Sequence, residues 1–62
     1  MKYIVQVTDG FHIVEKEVHA RDRTALIDYI EELMRETDCS SAEVWYAEDS
    51  RNHGKHAFSY EI

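Results

Sequence analysis

The chain has no proline, only two glycines and a single cysteine among its 62 residues. Without Pro- or Gly-rich stretches there is no flexible linker, so one domain spanning 1–62 is expected. The lone Cys39 forbids an intrachain disulfide, the staple of small secreted domains, and fits a reducing cytoplasm. No apolar run approaches the ~18 residues of a membrane span. The opening MKYIVQVTDG lacks the apolar core of a signal peptide, so a cytoplasmic location is expected. Basic residues are scarce, with seven Lys and Arg against 13 Asp and Glu and a net charge of −6. Such a chain repels phosphate backbones, which argues against nucleic acid as a partner. Neither a P-loop, nor GxGxxG, nor a paired-cysteine motif is present, and no cofactor is expected.

What is present is a folding pattern. Hydrophobic residues make up 44% and aromatics 11%, too many for disorder. Lys2 to Thr8 is rich in β-formers. Asp9-Gly10 then favours a two-residue type I′ turn, with Phe11 to Ala20 as the returning strand. That turn pairs Thr8 with Phe11, Val7 with His12, Val5 with Val14 and Tyr3 with Lys16. Asp22 is a candidate N-cap. From Arg23 the period changes to 3.6, and Leu26, Ile27, Ile30, Leu33, Met34 and Thr37 form one apolar stripe. The helix stops at Asp38 to Ser41. Ala42 to Asp49 reads as a third strand. Lys55 to Ile62 reads as a fourth, with His56, Phe58, Tyr60 and Ile62 on one face by strict alternation. The order ββαββ predicts an α+β fold: one four-stranded, mainly antiparallel sheet with a single helix packed on one face. Either the third strand or the fourth lies beside the first. The first strands, the junction Val18-His19-Ala20 and the helix together resemble many small phage and plasmid proteins in pattern.

One helix roofs one face of such a sheet. Tyr3, Val5, Val7, Val14, Val18, Phe58, Tyr60 and Ile62 are expected beneath it. Ile4, Phe11 and Ile13 then face the other way, and one of the adjacent pair Trp45 and Tyr46 must join them. A patch of that kind marks an interface. Size argues in the same direction. Burial of about 6,400 Å², six-tenths of it apolar, supplies ~96 kcal/mol, and ordering the chain costs ~93 kcal/mol. A chain so finely balanced gains from a partner subunit. The expected function is a non-enzymatic protein–protein interaction module, homodimeric through Ile4, Phe11, Ile13 and Trp45. Lys2 and Glu17 are expected to pair across strands at the rim.

The alternative rests on the helix. Asp28, Glu32 and Glu36 recur at i, i+4 and i+8, with Glu31 beside them and Arg35 in reach of Glu31. Such a row suits an acidic inhibitor or nucleic-acid mimic, of the phage or plasmid type, that blocks a basic nucleic-acid-binding protein.

Other groups invite chemistry and supply little. His53, His56 and Asp49 lie close in sequence, yet zinc wants three or four ligands, so no metal site is expected. His12 falls on the apolar hairpin face and His19 beside Glu17, where its protonation would tune an interface. Cys39 with Ser40 and Ser41 offers a nucleophile without a base or an oxyanion site, and Cys39 reads as packing after the helix. A Trp45–Tyr46 stacking platform for bases lacks the basic stripe it would need. No enzyme activity is expected.

Overall fold

The computed structural model describes residues 1–47 and 53–62, and only the backbone of His53. Its elements are β1 (Lys2–Thr8), β2 (Ile13–His19), α1 (Arg23–Thr37), β3 (Ser41–Ala47) and β4 (His53–Glu61). The strands form one antiparallel sheet in the order β2-β1-β3-β4. The third strand therefore lies against the first. The ββαββ order and the single helix are as the pattern predicts.

The helix boundaries follow from local chemistry. Asp22 Oδ1 accepts the Ala25 N–H at 2.8 Å, satisfying an otherwise orphaned donor of the first turn. At the other end Asp38 adopts a left-handed conformation, φ 57°. That turn lets the Cys39 N–H reach the Met34 carbonyl at 2.9 Å, closing the helix in the Schellman manner. Leu26, Ile30, Leu33 and Met34 are buried against the sheet. Tyr3, Val5 and Val7 of β1, Val18 of β2, and Ala42 and Val44 of β3 complete the core. Cys39 is buried there too, as expected of a packing residue. Val44 faces the helix side, which sends Trp45 to the open side.

Two expected features of register are corrected. The hairpin turn holds four residues rather than two, so Thr8 pairs with Ile13, Val7 with Val14, Val5 with Lys16 and Tyr3 with Val18. The shift is by two residues, so each side chain keeps its expected face. Phe11 and His12 leave the strand and enter the turn. The physical reason is the Asp9 side chain, whose Oδ1 accepts both the Phe11 and His12 N–H groups at 2.8 Å. That local bonding offers the backbone an alternative to the tighter loop. Gly10 supplies the positive φ of 96° that the turn requires.

The second correction lies in β4. Val44 pairs with Phe58, but Trp45 pairs with His56, leaving Ala57 as the extra residue of a β-bulge. Phe58 and Tyr60 stay on the helix side, half-buried. His56 crosses to the open side, breaking the expected alternation. Ile62 is 81% exposed and does not pack beneath the helix.

Candidate functional site

The helix lies over β1, β2 and β3 and reaches β4 mainly through side chains. The Arg23 guanidinium sits 4.0 Å from the centre of the Phe58 ring, and the Tyr60 hydroxyl donates to Glu31 at 2.8 Å. The opposite side of the sheet carries no element among the described residues. That open face is where the sequence places its contact residues.

The structure distributes those four residues unequally. Phe11 stands in the turn, 91% exposed, and Ile13 opens β2, 67% exposed. Ile4 and Trp45 are paired neighbours across β1 and β3. Ile4 is only 5% exposed, although no helix covers it. Its neighbours on that face are Trp45, Glu17, Lys2 and Gln6, and their long stems shield it. The exposed apolar side chains placed here are thus Phe11 and Ile13 at the hairpin tip, and the polar row Glu15, Gln6 and Glu43 separates them from the half-buried Trp45.

Polar pairs surround this centre. Lys2 Nζ lies 3.7 Å from Glu17 Oε1, the pairing expected from sequence. His19 Nε2 lies 3.6 Å from the same oxygen. Gln6 donates to Glu15 at 2.7 Å. His12, expected on the apolar face, is instead exposed beside Asp9, its Nδ1 at 3.5 Å from Oδ2. The N–H of His12, then that of Phe11, hold the Asp9 carboxyl below the usual Asp range.

Sequence reasoning missed one cluster. Glu43 Oε2 accepts from Ser59 Oγ at 2.7 Å and lies 2.7 Å from His56 Nε2. The His56 ring meets Trp45 edge-on, with centroids 5.5 Å apart. Only the bulge at Ala57 brings His56 to this face, and nothing in the alternation of β4 signals it. Serine, histidine and a carboxylate invite comparison with a nucleophilic triad. The connectivity is wrong for one: Ser59 donates to the carboxylate, whereas a triad needs the imidazole between them.

This cluster makes a prediction. Ser59 first, and His56 second, hold the Glu43 carboxyl below the usual Glu range. Its hydrogen bonds favour the charged form, so what they contribute is present at neutral pH. It is lost as pH falls through the lowered titration. Ser59→Ala should move the Glu43 midpoint back up toward an ordinary Glu, read by a carbon-detected NMR titration of the side-chain carboxyls. An unmoved midpoint would show that the hydroxyl does not set it.

Asp49 lies outside the described residues, as does the His53 side chain, and His56 is engaged by Glu43. Among the described residues no group of three metal-ligating side chains comes together. The Cys39 Sγ is turned toward the Thr37 carbonyl at 3.7 Å. On α1, Asp28, Glu32 and Glu36 are exposed, and a shallow depression is lined by Tyr29, Glu32, Leu33 and Glu36. Glu31 is half-buried and bonded to Tyr60, not to Arg35 as its spacing suggested. No described helix is long and apolar enough to cross a membrane. Neither a protein-family model, nor a curated protein, nor a solved structure matches the chain.

Proposed function

We propose that the chain is a non-enzymatic protein–protein interaction module that self-associates through the hairpin tip and the adjoining open sheet face. The observation that carries this reading is the pair Phe11 and Ile13, two large apolar side chains held in water at 91% and 67% exposure. The Asp9 turn fixes them there, so little further ordering is required on contact. Trp45, farther along the same face opposite Ile4, supplies an amphipathic surface, the kind of side chain enriched at contact centres. A second copy is the occupant that answers the narrow stability margin of so short a chain.

The test is the solution mass of the full chain by light scattering and sedimentation. Phe11→Glu together with Ile13→Glu should halve it, with the dissociation constant weakened at least ~30-fold. An unchanged mass would reject the reading. Association should also strengthen with added salt, because two chains each carrying −6 repel.

A second reading, an acidic inhibitor or nucleic-acid mimic, draws on the exposed row Asp28, Glu32 and Glu36 beside Tyr29. Its binding to a basic partner would weaken with salt, the opposite dependence. Glu32→Lys should abolish that binding while leaving self-association intact.

A further inference from the structure

The strand order leaves two edges, β2 and β4, each with main-chain groups directed away from the sheet. Their chemistry differs. Alternation across the β1–β3 and β3–β4 ladders directs Val14, Lys16 and Val18 of β2 inward and Glu15 and Glu17 outward. A second copy pairing antiparallel about Lys16 would set Glu15 against Glu17 twice and Lys16 against Lys16. Like charges directly opposite are destabilising, so this edge is guarded against its own copy.

The β4 edge is self-complementary. The Ile62 N–H donates inward to the Ser40 carbonyl at 3.2 Å. By alternation Phe58 and Tyr60 also direct their main-chain groups toward β3, at their pairs with Val44 and Ala42. Ser59 and Glu61 therefore present theirs outward. We infer that two copies join antiparallel through β4 about a two-fold axis at Tyr60, extending the sheet to eight strands. In that register Ser59 meets Glu61 of the second copy at both symmetry-related positions. The outward N–H and C=O groups of both residues are then satisfied by four backbone hydrogen bonds. Tyr60 meets its own copy, and Phe58 meets Ile62 twice on the helix side. Ile62, 81% exposed in the single chain, thereby acquires an apolar neighbour. The charged groups nearby are compatible: Arg23 is held over Phe58, and Glu31 is engaged by its own Tyr60. On the other face Glu61 lies opposite a serine hydroxyl. The bulge at Ala57 reverses the facing of the strand beyond Phe58, which limits the contact to 58–62 and selects this register.

This edge contact is independent of the open face, and the two are separable by mass. With both contacts present the wild-type chain reads as more than two copies, Phe11→Glu/Ile13→Glu as two, and the same variant carrying Glu61→Pro as one. Proline at 61 removes an outward N–H only, leaving the bonds to β3 in place. A Phe11→Glu/Ile13→Glu variant that reads as one copy overturns the edge contact. A two-copy mass that survives Glu61→Pro overturns it as well. Wild type at two copies, unaffected by the double glutamate change but split by Glu61→Pro, overturns the open-face reading and supports this one. As a check independent of affinity, Tyr60→Cys in a Cys39→Ala background should form a disulfide-linked dimer on mild oxidation. Directly opposed residues of such a pair have Cα atoms ~4.5 Å apart, within disulfide range. Thr24→Cys, on the exposed start of the helix, should remain monomeric on a denaturing gel, and equal yields from both would count against the register.

Discussion

Ile30→Ala is expected to leave the chain largely unfolded at room temperature. Ile30 is wholly buried at the middle of the helix stripe, among the valines of β1 and β3. Removing its branched side chain loses the transfer energy of the deleted carbons and leaves a cavity that a close-packed core refills only in part, about 2–5 kcal/mol. A single core of this size rarely supplies more than about 3–5 kcal/mol in all. The loss is therefore comparable with the whole margin. Far-UV circular dichroism and a urea titration read it directly. Thr24→Ala, on the exposed first turn, is the comparison and should shift the midpoint little. A midpoint for Ile30→Ala close to that of Thr24→Ala would mean the helix is not seated on the sheet as described.

Ile4→Ala is expected to have the next largest effect, and its form matters more than its size. Ile4 faces away from the helix, so a purely superficial role would predict a loss confined to self-association. Its burial within one chain predicts otherwise. The loss, about 2–5 kcal/mol as for other buried Ile side chains, should appear in folding stability even at dilutions where no oligomer survives. Denaturant midpoints at two widely separated protein concentrations make the distinction. If the wild-type-to-variant difference vanishes on dilution, Ile4 is stabilised by a partner and not by its own neighbours.

The contrast between Ile4 and Ile13 shows where sequence reasoning reaches its limit. Both are isoleucines on the same face of one hairpin, and period-2 alternation treats them alike. One lies mid-strand on a central strand and is shielded by long neighbours from both sides. The other opens an edge strand beside the turn and is not. Strand order decides this, and strand order depends on pairings between residues far apart in the chain. The helix, by contrast, was legible to its last turn, because Asp22, the apolar stripe and the break after Thr37 act within a few residues of one another. The Lys2–Glu17 pair was legible for a similar reason, since a two-residue slip in hairpin register preserves which face each side chain occupies. The Glu43–His56–Ser59 cluster was not. It depends on a single unpaired residue, Ala57, whose small neutral side chain carries no signal of a bulge.

The central place of β1 has a consequence for the order of events during folding. Its pairing with β2 joins near neighbours in the chain and closes through a four-residue turn. Its pairing with β3 must wait until the intervening helix has brought distant segments together, which carries the larger loop-closure cost. The first strand is thus the template on which two assembly steps of very different rate converge, a local zipper on one side and a slow docking on the other. Changes that weaken the hairpin should slow acquisition of the whole sheet.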